Sequence, residues 1–194
     1  MSSTLEGSVA SPPRWHEIAM RTIEAGFDMS SEARIGEMLR MLAVGRKALL
    51  EMGTGTGLAT AWLLDGMDED ARLATVDNDP EVQAVARDVL GEDPRVDFVT
   101  EDGAAYLAGQ NDGGFDLIFA DAVPGKYESL DDALRLLQVG GIYVVDDMSP
   151  QPNWPEGHQA RVDDLVLRLA SDPRLAIVGM DWASGVLVAA KRAA

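Results

Sequence analysis

From residue 48 to residue 190, short apolar and β-branched runs alternate with longer stretches whose apolar positions recur every three or four residues. Alternation of a two-residue with a 3.6-residue period predicts βαβ units on a parallel sheet. The strand runs are Ala48 to Met52, Leu73 to Asp77, Val96 to Thr100, Phe115 to Ala120, Gly141 to Val145, Ala176 to Asp181 and Gly185 to Ala190. Only Trp182, Ala183 and Ser184 separate the last two. That is too short for a crossover helix, so the pair should form an antiparallel hairpin. The expectation is an α/β fold with a mixed sheet of seven strands and helices on both faces.

The helical segments carry their own start signals. Asp79-Pro80 reads as an N-cap followed by proline at the first helical position, ahead of a stripe of Val82, Val85, Ala86 and Val89. Ser129 and Asp132 form a capping-box pattern before Leu130, Ala133, Leu134 and Leu137. Ahead of the first strand lie two further amphipathic patterns. One runs from Trp15 through Ile18, Ala19 and Ile23, and the other is capped near Ser30 and holds Ile35, Met38, Leu39 and Leu42. Both can be explained by packing alone, and both can also cover a ligand edge, with Met29 at its margin.

A chain of 194 residues suits one domain. Residues 1–13, rich in Ser and Pro, read as a flexible tail, 14–47 as N-terminal helices and 48–194 as the core. The 33 acidic and 16 basic residues give a net charge of -17, which repels phosphate backbones and anionic lipid surfaces. The expected partner is therefore a small molecule, with neither nucleic acid nor membrane, and the expected location is the cytoplasm. No cysteine is present, which removes thiolate metal sites and cysteine nucleophiles.

The most informative stretch is Glu51-Met52-Gly53-Thr54-Gly55-Thr56-Gly57-Leu58, where a strand runs into a glycine loop. Glycine lets the backbone approach a ligand lying across a strand end. A dinucleotide fingerprint has its third glycine one residue later, where Leu58 stands, so the spacing argues against NAD. Glu51 would oppose a pyrophosphate but favour an ammonium or sulfonium group, and S-adenosylmethionine carries both. Asp77 closes the next strand where a carboxylate can accept both ribose hydroxyls. Asp102, Gly103 and Ala104 fit an adenine amine or, equally, a helix cap.

These segments, with Val76-Asp77-Asn78-Asp79-Pro80, Phe115 to Ala122 and Gly140 to Met148, resemble class I methyltransferases, and more closely the small-molecule O-methyltransferases of the catechol and caffeoyl-CoA type. The resemblance implies a Rossmann-like fold and S-adenosylmethionine held by Met29, Glu51, Gly53, Thr54, Gly55, Thr56, Gly57, Asp77, Asn78, Asp102, Gly103, Ala104 and Asp121. It also implies a divalent cation such as Mg²⁺ on Asp121, Asp146 and Asp147, hard oxygen donors suited to it. A homodimer is a further expectation.

Three positions depart from the family pattern. Asp147 replaces an asparagine, Ala59 a serine, and Pro124 a catalytic lysine, with Lys126 the nearest lysine and Tyr127 matching the family's tyrosine. Asp121, Lys126 and His158 are the candidate catalytic residues, His158 and Trp154 lying in a proline-stiffened loop after the fifth strand. The reading is methyl transfer from S-adenosylmethionine to an oxygen of a small, phenolic acceptor. The alternatives are N-methyl transfer and a non-catalytic module that binds S-adenosylmethionine.

Overall fold

A computed structural model describes residues 9–151 and 154–193, so Pro152, Asn153 and most of the N-terminal tail lie outside the described residues. Two helices, α1 (Trp15–Glu24) and α2 (Ala33–Ala43), precede β1 (Ala48–Met52). There follow α3 (Leu58–Gly66), β2 (Arg72–Asp77), α4 (Pro80–Leu90), β3 (Val96–Thr100), α5 (Gly103–Gly109), β4 (Phe115–Ala120), α6 (Leu130–Leu136), β5 (Leu137–Val145), α7 (His158–Ser171), β6 (Leu175–Met180) and β7 (Val186–Lys191).

The strand order is β3-β2-β1-β4-β5-β7-β6, parallel through β5, with β7 antiparallel to both β5 and β6. Side chains alternate between the sheet faces along each strand, and the core divides accordingly. Leu49, Leu117, Phe119 and Val144 meet α1 to α4 on one face. Leu50, Ile118, Tyr143 and Val145 meet α5 to α7 on the other. Near-continuous apolar strands are what a sheet covered on both faces requires. None of the helices is long and apolar enough to cross a membrane, among the described residues.

Two cap expectations are corrected. Ser129 precedes α6 in a left-handed conformation (φ 53°) and makes no side-chain cap. Ser30 does not cap α2, which begins at Ala33 behind Glu32. By contrast Asp79 accepts hydrogen bonds from the amides of Glu81 and Val82, with Pro80 at the start of α4. The fifth strand starts four residues earlier than expected. Leu137 pairs with Phe115, the register then shifts, and Gly140 at φ 80° takes up the extra chain.

The strand order reverses between β1 and β4, where chain connections leave in opposite directions and open a crevice at the carboxyl ends. Met52 pairs with Ala120, and Ala120 with Val145. Gly53, Asp121 and Asp146, the next residues along, therefore stand side by side at that crevice.

Candidate active site

A cavity of about 560 Å³ occupies the crevice. One end is formed by Gly53, Thr54, Gly55, Thr56, Asp77 and Asn78, the other by Asp121, Lys126, Tyr127, Asp146, Asp147 and His158. Residues 27–32, between α1 and α2, form a third wall that includes Met29, which is 70% exposed.

The glycine loop has geometric reasons for its composition. At Gly53 (φ 100°) a Cβ would stand 2.7 Å from the carbonyl oxygen of Asp121, and at Gly57 (φ 95°) 2.7 Å from the Ala86 methyl carbon. Both positions combine a backbone conformation that L side chains rarely adopt with no room for one. Asp77 fixes the loop from the side. Its carboxylate accepts from the Gly55 amide at 2.8 Å and from the Asp79 amide at 2.9 Å. Each oxygen keeps a lone pair for a further donor.

Glu51 sits beneath the loop and off the cavity wall. It is fully buried, and one carboxylate oxygen accepts from the hydroxyls of Thr60 and Thr75, each at 2.6 Å. The other has no partner among the described residues. Burial pushes this carboxyl up to about 7, against the two hydroxyl hydrogen bonds. The network continues from Thr75 to Thr54 and on to the Gln83 amide, so Glu51 supports the loop from below.

Gly57 is also off the wall, at the start of α3, as are Asp102, Gly103 and Ala104. Asp102 caps α5 by accepting from the Ala105 amide at 2.9 Å. Gly103 is pressed against Met52 and Pro124. At Ala59, the departure from the family serine, the methyl side chain lines the cavity.

At the other end, the Ser31 hydroxyl donates to Asp121 at 2.7 Å and the Ser184 hydroxyl donates to Asp146. Burial, and then Asp146, holds the Asp121 carboxyl well above the usual carboxylate range, and burial pushes Asp146 up to about 6. Lys126 is only 4% exposed and lowers both carboxyls by its charge. The Tyr127 hydroxyl and His158 Nε2 lie 3.0 Å apart, and Trp154 leans on the His158 ring with centroids 4.5 Å apart. Burial lowers the His158 pKa, helped by the positive charges of Lys126 and Arg161.

Asp121, Asp146 and Asp147 offer the hard oxygens a divalent ion prefers. Their donors are not gathered, however. Among the described residues no three His, Cys, Asp or Glu side chains are grouped as a metal ion requires. Asp121 is turned to Ser31, and Asp146 to Ser184 and the Asp147 amide. The acids suit a divalent ion in donor type and not in arrangement, and no chemical step is assigned to one.

Ser31, Ser184 and Phe27 carried no sequence signal. Phe27 lies over Gly55, its ring 3.2 Å from where a Cβ would stand, and the three reach the cavity only through folding. Tyr127 and His158, 31 residues apart, were each visible singly but not as a hydrogen-bonded pair.

A glycine loop and a strand-end carboxylate thus lie at the topological switch point of a Rossmann-like sheet, opposite a cluster of acids and a lysine. Comparison with known proteins identifies the family. The O-methyltransferase family matches residues 6–192, and the chain belongs to that family and is a methyltransferase. A Mycobacterium ulcerans relative bearing the name "Putative O-methyltransferase" is 30% identical over 98% of this chain and 90% of its own length. A Mycobacterium tuberculosis relative bearing the name "Probable O-methyltransferase" is 31% identical over 81% of this chain and 75% of its own. The fold is shared with TomG from Streptomyces achromogenes, crystallised with S-adenosylmethionine, at a TM-score of 0.81 and 22% identity over 96% of this chain and 92% of that one.

Proposed function

We propose that this enzyme moves the methyl group of S-adenosylmethionine to a hydroxyl oxygen of a small phenolic acceptor. One observation carries the reading: a single cavity joins the glycine loop and Asp77 to the group of Asp121, Lys126, Tyr127 and His158, so donor and acceptor share one enclosure. Asp77 accepts the ribose hydroxyls, and the loop amides and Asn78 line the nucleoside. The carboxyl groups of Asp121 and Asp146 face the sulfonium end, whose positive charge favours their ionised forms.

In the transfer, the acceptor oxygen attacks the methyl carbon in line, the carbon–sulfur bond breaks, and S-adenosylhomocysteine leaves neutral at sulfur. The phenolic proton goes to His158, which is neutral at pH 7 because burial and two neighbouring cations depress its pKa. Lys126 stabilises negative charge developing on the acceptor oxygen before the bond forms.

Calorimetric titration with S-adenosylmethionine and with NAD, before and after chelation, tests the reading. Micromolar binding of S-adenosylmethionine and none of NAD is the expected result. NAD binding without S-adenosylmethionine binding would overturn it. Turnover of catechol that survives chelation would agree with the ungathered acids.

A further inference from the structure

A second cavity of about 270 Å³ opens beside the first and shares Lys126 and Tyr127 with it. Its remaining wall comes from α7: Ala160, Arg161, Asp164, Leu165 and Arg168. Three of the chain's 16 basic residues therefore line one small space, against a single acid, in a protein of net charge -17.

Two of these cations also lack the close carboxylate that several others hold. Arg14, Arg21, Arg40, Arg95, Arg135 and Arg174 each hold a carboxylate at 3.1 Å or less. Among the described residues neither Lys126 nor Arg161 has a carboxylate within ion-pair distance. Arg168 has only Asp131, at 3.7 Å and 86% exposed. The Tyr127 ring holds the two unpaired cations in place, with the Arg161 guanidinium 4.5 Å and the Lys126 amine 5.2 Å from its centroid. Lys126 is buried and stands at the junction of the two cavities.

We propose that this cavity is a subsite for a carboxylate carried by the methyl acceptor at a distance from its reacting hydroxyl. Arg161 and Arg168 grip it, and Lys126 spans the step between tail and hydroxyl. A guanidinium matches a carboxylate in planar, two-pronged geometry, and the space is too small for a nucleotide-sized group. The acidic surface elsewhere does not prevent this, because charges beyond about 8–10 Å are screened in physiological salt while the three cations act in contact. Charge divides across the site accordingly, acids facing the sulfonium and cations facing the acceptor tail.

The inference rests on the proposed O-methyl transfer, and its test separates the two. Dihydrocaffeate, a catechol with a propionate side chain, and its neutral methyl ester are compared for binding to the enzyme loaded with S-adenosylhomocysteine and for turnover with S-adenosylmethionine. The acid is expected to bind about 100-fold more tightly than the ester, and Arg161→Gln or Arg168→Gln each to reduce that preference about tenfold, the scale of one charge-assisted contact. Both arginines are exposed, and thermal unfolding checks that the variants stay folded. Equal binding of acid and ester, no binding of either, or a preference the variants leave intact overturns the subsite. Preferred binding of the acid without methylation of either compound leaves the subsite standing and overturns the phenolic acceptor.

Discussion

The Ser31 hydroxyl donates to the Asp121 carboxylate at 2.7 Å, joining residues 90 positions apart across the cavity mouth. This bond ties the segment ahead of α2, which carries Phe27 over Gly55, to the end of β4. It also gives a donor to a carboxyl whose charged form burial and Asp146 disfavour, and so favours that form. Ser31→Ala should weaken S-adenosylmethionine binding about tenfold, as expected for one lost hydrogen bond to a charged group. Calorimetry on the variant checks this. Unchanged affinity would mean that the segment closes without Ser31.

Asp77 and Asp121 occupy opposite ends of the cavity, and their removal should separate binding from chemistry. Asp77→Ala deletes the proposed ribose acceptor and the brace on the Gly55 amide, so cofactor affinity should fall by a factor of about 100, the scale of two lost charge-assisted bonds. Asp121→Ala, which also removes the Ser31 bond, should abolish turnover while lowering affinity only by the same factor of about ten. Equal losses of affinity in both variants would move Asp121 into the cofactor's hold.

Glu51 should make stability fall as pH rises. Its carboxyl titrates at about 7 in the folded protein and at the ordinary 4.5 when unfolded, so the folded state holds the proton more tightly. Stability is fully present below 4.5 and is lost as pH rises through 7, by about 3 kcal/mol at most. Denaturant unfolding of the parent and of Glu51→Gln between pH 4.5 and 8 should converge at the acidic end. They should separate in favour of the variant at the basic end. Parallel curves would place the proton elsewhere.

His158 should govern the acidic side of the rate profile. With its pKa lowered by burial, Lys126 and Arg161, kcat/KM should rise with pH through that depressed value and then level off. His158→Gln should lower kcat by a factor of about 100 or more and remove the acidic limb. An acidic limb that survives the substitution would assign the proton to another group.

The periodic patterns along the chain determined most of the architecture. β1, β3 and β4 run between the residues read from the pattern, Asp79 caps α4, and the short link at Trp182 to Ser184 does produce an antiparallel pair. These features are local: a strand's alternation, a proline's fixed φ and a turn's length act over a few residues. The glycine loop and Asp77 were legible for the same reason, since the loop must pass close to backbone at Gly53 and close to α4 at Gly57 whatever ligand it holds.

What the tertiary structure decided is where distant groups meet. Ser129 had the letters of a cap and is held left-handed at the start of α6, while the start of α2 is displaced from Ser30 as Ser31 reaches Asp121. Glu51 looked like a ligand for a positive group. Strand pairing places Thr75 beside it, and α3 places Thr60 over it, so it lies under the loop. The meeting of Lys126 and Tyr127 with Arg161 and Arg168 on α7 likewise depends on which helix covers which end of β4. Backbone conformation is set by neighbours along the chain, whereas a site's charge, burial and proton affinities are set by neighbours in space, which only the completed sheet and its helices supply.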